Sequence, residues 1–521
     1  MSGRGTDVAA VAIAATGLIL AFPPIGWWPL AWVAGAPLLF RCALIPPRRA
    51  LALGGVWGVV FFTFTLYWAQ GVLVRYGGIP GWLAVGPVLL LVLYCAAYFA
   101  VFAWLLAAGA GRWGTAALWM APVLWVTLEC LRSRVLGGFP WAVLAVSQQA
   151  KPALLAASSW GGAYAVSALL VASWAWLAQI AHGSSSARRL KLVGAGIAVL
   201  ALVAGLGAWR AGRLERLPAD LRVACLQVNV PQAIKWSPAH RQRILDAHRE
   251  LTRQASQAGA RLVVWPESSL PFASGERVRE GQRWVRIEDW VAQRARENGV
   301  DILWGGTATV RGSEGIELRN SAFFTSAAGR LASRYDKMRL VPFGEYVPAR
   351  RLLWFLEPLV RQVGEFGAGE APVLHATRAG VLGSVICYEI LFPHLVRRIA
   401  VPGAGFMANI TNDAWYGTAV MPYLHLAAAP LRAAENGFAV LRAANTGVSA
   451  LIGPSGRVLA RTRMQERTVL VGDVPARGEE TFYRRHGDLL AGACAMMTVF
   501  YLVALLPRRS RSASHPQRRQ S

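Results

Sequence analysis

Only two carboxylates occur in the first 208 residues of this chain, Asp7 and Glu129, and beyond residue 486 there is one more, Asp488. The remaining 25 of its 28 Asp and Glu lie between residues 209 and 486. A charged side chain at the bilayer centre costs about 3 kcal/mol even on the lenient insertion scale. Acid depletion over so long a stretch is what a multi-span membrane region requires. The chain therefore divides into two materials, an apolar part and a mixed-charge block. Its net charge of +26 over 521 residues would suit a nucleic-acid partner, but a composition that is 55% hydrophobic and 16% charged points to a membrane instead. The same composition excludes wholesale disorder.

Apolar stretches near the roughly 20 residues that cross a hydrocarbon core lie at 8–24, 27–45, 51–70, 82–108, 114–131, 161–182 and 190–208. They predict a transmembrane domain of about seven helices over 1–208. An eighth stretch, 489–506, predicts a C-terminal transmembrane helix followed by a basic tail, within 487–521. The stretch 138–160 reads as interfacial. The first span has only Arg4 ahead of it and no clean cleavage site before Pro23-Pro24, so it is expected to be an uncleaved anchor.

Eight spans put both termini on one side, and the Lys/Arg bias indicates which. Arg4, Arg41, Arg48, Arg49, Arg112, Arg188, Arg189, Lys191, Arg508, Arg509, Arg511, Arg518 and Arg519 fall on the side of the termini. Arg75, Arg132, Arg134 and Lys151 fall on the other. The termini are thus expected in the cytoplasm and the block 209–486 outside, in the periplasm of a Gram-negative cell. No internal repeat and no mid-span acid speaks for a transporter. A scaffold holding an external domain against the lipid surface fits better.

Within the block, short β-branched runs alternate with helical periodicity. Strands are expected at 222–230, 261–265, 301–310, 320–326, 331–335, 383–386 and 406–410, with a hairpin over 439–452 and 457–462. Helices are expected at 238–258, 285–298 and near 421–436. This is layered α/β, with chemistry at strand ends. There is no Gly-x-Ser-x-Gly elbow, no Walker A loop and no His/Cys cluster of zinc type, so no metal or other cofactor is expected. Of the two cysteines in the block, Cys225 sits mid-strand and reads as a small core residue. An oxidising compartment would permit a Cys225–Cys387 pair.

Three residues follow apolar strands: Glu267 in Trp265-Pro266-Glu267-Ser268, Lys337 in Tyr335-Asp336-Lys337-Met338, and Cys387 in Ile386-Cys387-Tyr388-Glu389. Of 37 basic residues in the block, only Lys235 and Lys337 are lysines. A thiol attacks as thiolate, a carboxylate can take its proton, and an ammonium can stabilise an oxyanion. From the residues alone, Cys387 reads equally as nucleophile or core thiol, and Glu267 and Lys337 as catalysts or an ordinary ion pair.

With Gly344-Glu345-Tyr346-Val347-Pro348 and the run from Asn409 to Gly417 added, the block closely resembles the nitrilase (carbon–nitrogen hydrolase) superfamily. With the spans around it, residues 8–506 resemble the apolipoprotein N-acyltransferase family. The resemblance implies an αββα sandwich over 209–486 joined to a multi-span helical domain in a bacterial inner membrane. It implies Glu267 as general base, Cys387 as nucleophile and Lys337 as oxyanion stabiliser, with the Tyr388 N–H as second donor and Glu345 orienting Lys337. Tyr388, Glu389, Trp236, Asn412 and Trp415 fall at positions around the family's site. Trp236 and Trp415 retain the alternative of simple packing, and Glu389 that of a supporting partner.

The implied reaction moves an acyl chain from a phosphatidylethanolamine-like phospholipid, through a Cys387 thioester, to the N-terminal amine of a diacylglyceryl-cysteine apolipoprotein. The alternatives are a membrane-tethered amidase cleaving a small amide and a scaffold with an inactive nitrilase-like domain. Leu352-Leu353-Trp354-Phe355-Leu356 with Leu359-Val360 reads either as a lipid-dipping lid arm or as a buried helix.

Overall fold

A computed structural model describes residues 2–183, 185–312, 315–342, 344–346, 366–417 and 420–507. The candidate lid arm and the basic tail from Arg508 lie outside the described residues. The first part is helical, with helices Ser2–Ala21, Pro47–Leu66, Gly81–Trp113, Ala163–His182 and Ser186–Glu215 each containing a window long and apolar enough to cross a membrane. A shorter apolar helix, Leu489–Leu505, returns after the α/β block.

Two expected spans are not continuous helices. The stretch 27–45 is a 3₁₀ turn at Trp28–Trp32 followed by the seven-residue helix Ala36–Cys42. The stretch 114–131 is a 3₁₀ segment, Gly114–Met120, leading into helix Ala121–Arg132. Hydropathy counts apolar residues but not backbone breaks. Pro29, Pro37 and Pro122 each occupy the first turn of a new segment, where the missing N–H is harmless. Gly35, just ahead of the second segment, is required by close packing, because a Cβ there would meet the Trp174 ring at 2.3 Å.

The closest helix pair is Pro47–Leu66 against Gly81–Trp113. Gly54 and Gly58, four apart on one face, let the backbones approach. A Cβ on Gly58 would lie 2.7 Å from Ala96 Cα, and one on Gly54 would lie 2.6 Å from the Phe99 carbonyl oxygen. Small residues at this spacing are how helices associate where lipid supplies no hydrophobic drive.

Contacts sort the turns into two ends. At one end Asp7 pairs with Arg41 at 2.7 Å and with Arg49. Phe40 stacks on His182, Gln179 donates to the Thr115 carbonyl, and Arg112 to that of Leu506. At the other end the helical part meets the α/β block. Tyr76 donates to the Ala414 carbonyl, Glu215 accepts from Ser455 and Arg457, and Arg134 pairs with Asp488. Glu435 of the block accepts from Ala163 N at 2.7 Å, capping a 20-residue helix of the other part. The stretch 138–160 forms short turns against this junction.

The block has strands β1 (Leu221–Gln227), β2 (Leu262–Val264), β3 (Arg277–Glu280), β4 (Arg283–Arg286), β5 (Asp301–Gly312), β6 (Gly315–Thr325), β7 (Leu331–Asp336), β8 (Leu374–Thr377), β9 (Gly380–Ile386), β10 (Phe406–Thr411), β11 (Ala439–Ala444), β12 (Ala450–Ile452), β13 (Val458–Arg461) and β14 (Thr468–Val474). They form two six-stranded sheets, β14-β1-β2-β5-β6-β7 and β13-β12-β11-β10-β9-β8, plus the β3–β4 hairpin.

Side-chain alternation explains the layering. Ala224, Leu226, Val263, Trp265, Ile302 and Trp304 face helices Arg241–Gln257 and Ile287–Asn298 through Ile244, Leu251 and Trp290. Val223, Cys225, Leu262, Val264 and Leu303 point the other way, into one core with Leu382, Val385 and Ile410 of the second sheet. Helices Pro393–Ala400 and Ala428–Asn436 back that sheet, giving an αββα sandwich. The helix expected near 421–436 is two, Met421–Leu426 and Ala428–Asn436. The strands β3, β4, β8 and β14 were not expected from the sequence pattern.

Gly58→Val should force the Ala96 backbone to move and destabilise the helical part by about 1–3 kcal/mol. A lowered Tm in detergent, with the secondary structure retained, is the measurement that checks it.

Candidate active site

Glu267 follows β2 in a turn held by Trp265 N donating to the Leu303 carbonyl and Gly305 N donating to the Pro266 carbonyl. Gly305 is required there, since a Cβ would meet the Glu267 Cα at 2.7 Å. Lys337 leaves β7, its N–H bonded to the Asn320 carbonyl of β6. Cys387 follows β9 and Asn412 follows β10, its parallel neighbour, so these two come from adjacent strand ends. In open parallel sheets that edge is where ligands bind.

The side chains close into one buried network. Lys337 Nζ donates to Glu345 Oε1 at 2.9 Å and to Glu267 Oε1 at 3.3 Å. Asn320 Nδ2 bridges the same two oxygens at 2.8 and 2.7 Å. Asn412 N donates to Glu267 Oε2, and Val341 N to Glu345 Oε2. Lys337 is 1% exposed and Glu267 5%.

Burial pushes the Glu267 carboxyl up, but the Lys337 ammonium, the Asn320 amide and Lys235 outweigh it and hold it below the usual carboxylate value. Burial pushes the Cys387 thiol well above its ordinary value, the Glu267 charge adds to this, and Lys337 opposes it. The resting pair is therefore a charged carboxylate near a neutral thiol, an arrangement in which a carboxylate can accept a thiol proton. Cys225 and Cys387 are both free thiols.

The remaining candidates are placed unevenly. Glu389 is fully buried and accepts from Tyr335 Oη, Met338 N, Arg339 N and Ile386 N. It thereby ties the segment after Lys337 to the start of the Cys387 turn, although burial lifts its carboxyl to about 7. Tyr388 packs edge-on against Phe392, and its hydroxyl donates to the Gly138 carbonyl of the helical part at 3.4 Å. Trp415 lies against Tyr76, with ring centroids 4.7 Å apart. Trp236 is 47% exposed on the loop after Lys235.

Two family models match the chain: carbon-nitrogen hydrolase over residues 222–483, and apolipoprotein N-acyltransferase N-terminal domain over residues 14–177. An apolipoprotein N-acyltransferase of Geobacter metallireducens is 36% identical, the alignment covering 96% of this chain and 94% of that one. The chain belongs to the apolipoprotein N-acyltransferase family. Members from Methylococcus capsulatus and Azotobacter vinelandii are each 33% identical, over 98% and 97% of this chain and 99% and 96% of theirs. A solved amidase from Nesterenkonia sp. is similar at 20% identity and TM-score 0.37, covering 52% of this chain and 95% of its own.

Against the apolipoprotein N-acyltransferase family resemblance, the structure adds residues that sequence reasoning missed. Asn320 joins Glu267 to Glu345, and its signal was a polar residue within the strand ahead of Phe323-Phe324. Lys235 is 1% exposed, donates to the Glu267 carbonyl at 3.3 Å, and is pulled down to about 8 by burial against the Glu267 charge. Asn445 donates to Asn412 Oδ1 and to the Val230 carbonyl. Tyr416 packs edge-on against Trp68, ring centroids 5.2 Å apart, and burial raises its phenol.

Because the folded Glu267 pKa is depressed, its charge stabilises the fold above the ordinary value of 4.5 and that contribution is lost as pH falls toward the folded value. In Glu267→Gln the drop in Tm between pH 7 and pH 4 should be smaller than in the wild type. An equal drop in both would show that Glu267 is not held ionised.

Proposed function

We propose that this enzyme transfers an acyl chain from a phospholipid, of phosphatidylethanolamine type, to the N-terminal amine of a diacylglyceryl-cysteine apolipoprotein, by two half-reactions through Cys387. The observation that carries the reading is the buried Glu267–Lys337–Glu345 network near a neutral buried thiol, in a chain that matches N-acyltransferases over 96–98% of its length.

In the first half-reaction Glu267 takes the thiol proton as Cys387 Sγ attacks the sn-1 ester carbonyl. Lys337 and the Tyr388 N–H stabilise the oxyanion. Collapse breaks the ester bond, and Glu267 returns its proton to the leaving lysophospholipid alkoxide, leaving a thioester. In the second half-reaction the amine attacks the thioester carbonyl, Glu267 accepts the amine proton, and collapse forms the amide. That proton then passes to the departing sulfur. Glu345 and Asn320 keep Lys337 and Glu267 in register through both steps. Tyr388, Glu389, Asn412, Trp236 and Trp415 shape and support the pocket.

The lipid donor is supported by what walls the site. Trp68, Tyr76 and Trp141 of the helical part pack on Tyr416, Trp415 and Tyr388. A lipid reaching this site avoids extraction into water, which costs about 0.8 kcal/mol per CH₂. This wall also favours acyl transfer over hydrolysis of a small soluble amide.

The proposal includes a placement that the Lys/Arg bias supports: a membrane domain over residues 1–208, an extracytoplasmic catalytic domain over 209–486, and a C-terminal helix and basic cytoplasmic tail over 487–521. In the inner membrane the end bearing Arg41, Arg49 and Arg112 faces the cytoplasm and the catalytic domain faces the periplasm. Alkaline phosphatase fused after residue 259 should be active and after residue 506 inactive; the reverse pattern would invert the orientation.

Incubation with phospholipid labelled in the sn-1 chain should label the wild type through a hydroxylamine-sensitive bond. Cys387→Ala should abolish the label, and Lys337→Met should slow its appearance by about 100–1,000-fold. An unlabelled wild type would defeat the donor assignment, and label persisting in Cys387→Ala would defeat the nucleophile.

A further inference from the structure

Behind Cys387 lies a buried polar cluster that the transfer chemistry leaves unused. Cys387 has φ 51°, in the left-handed region that a residue with a Cβ adopts only when its surroundings enforce it. Its carbonyl oxygen lies 3.0 Å from His425 Nε2. A carbonyl only accepts, so Nε2 carries the hydrogen. Around Nδ1 stand Asp413 Oδ1 at 2.9 Å and Arg442 Nη2 at 3.0 Å.

Arg442 also donates to Asp413 Oδ2 at 2.9 Å and to Asn409 Oδ1 at 2.5 Å. His425 and Arg442 are fully buried and Asp413 is 1% exposed. Burial works against the Asp413 charge, but Arg442 and His425 bring its carboxyl down to about 2. Burial and the Arg442 charge hold His425 below its ordinary value, the Asp413 carboxylate opposes them, and Nε2–H remains on the Cys387 carbonyl. The Asn409 amide, 3.5 Å from the Cys387 carbonyl, is too distant to fix that group alone.

A trans peptide holds its C=O and the following N–H in one plane, pointing in opposite directions. Anchoring the Cys387 carbonyl on His425 therefore sets the direction of the Tyr388 N–H. With the plane turned over, a carbonyl dipole would face the developing oxyanion in place of a donor. We propose that His425, braced by Asp413 and Arg442, is a positioning residue that holds the Cys387–Tyr388 peptide in the orientation that completes the oxyanion hole. The proposal rests on the acyl-transfer reading in that the Tyr388 N–H serves the oxyanion.

The test uses the full chain in detergent with two acyl donors, an activated p-nitrophenyl ester and labelled phosphatidylethanolamine, and iodoacetamide as a thiol reagent followed at Cys387 by mass spectrometry. Acylation passes through an oxyanion and alkylation does not. A Gln side chain places its amide nitrogen about where imidazole Nε2 lies, whereas Asn stops short. His425→Asn should lower the maximal acylation rate by ~100-fold, leaving KM and the alkylation rate within about two-fold, and His425→Gln should recover most of the loss.

Acylation of His425→Asn within about three-fold of wild type would overturn the proposal. So would parallel loss of acylation and alkylation, or a Gln variant no better than Asn. If the wild type accepts the nitrophenyl ester but not the phospholipid, the lipid-donor reading fails while the His425 comparison still stands on the ester.

Discussion

One ammonium, Lys337 Nζ, stands between two buried carboxylates, those of Glu267 and Glu345. Taking three charges out of water costs several kcal/mol for each, and such a group persists only when further hydrogen bonds satisfy it. Asn320, Val341 N and Asn412 N supply those bonds from β6, from the segment after Lys337 and from the end of β10. The network therefore reads out the registry of both sheets at once. A slip of β6 against β7 would misplace Asn320 relative to Lys337, and separation of the sheets would withdraw Asn412 from Glu267. The fold is specified at the point where the chemistry needs it.

The helical part is bound to this network by contacts of a different kind. Glu435 caps helix Ala163–His182, and Trp68, Tyr76 and Trp141 close over the strand ends. These aromatic contacts join the surface that would meet a lipid to the residues that would attack it. Trp141 also lies 5.8 Å, centroid to centroid, from His425, so the wall of the pocket and the support of the Cys387 peptide share a neighbour.

Much of the site was legible because Glu267, Lys337 and Cys387 each follow an apolar strand directly, and a polar residue there has to be at an edge. What stayed hidden depends on pairing across long separations. Asn320 meets Glu267 across 53 positions and Asn412 meets it across 145. The strand β14 was missed because its partner β1 lies far upstream, with Leu221 paired to Val474. Arg442 was visible as a charge within Ala439-Val440-Leu441-Arg442-Ala443, yet nothing local named Asp413 as its partner. In the helical part, apolar content located the chain's passages, while Pro29, Pro37 and Pro122 open new segments within two of them, which hydropathy averages away.

Helix Ser186–Glu215 carries a last feature with a geometric consequence. Between Lys191 and Arg210 it has 18 uncharged residues, about 27 Å of helix, which matches a hydrocarbon core of about 30 Å. No stalk is left over. Arg210 and Arg213, which pair with Glu479 of the α/β block, stand in the first turn beyond that stretch, so the ion pairs fasten the block directly to the end of its tether.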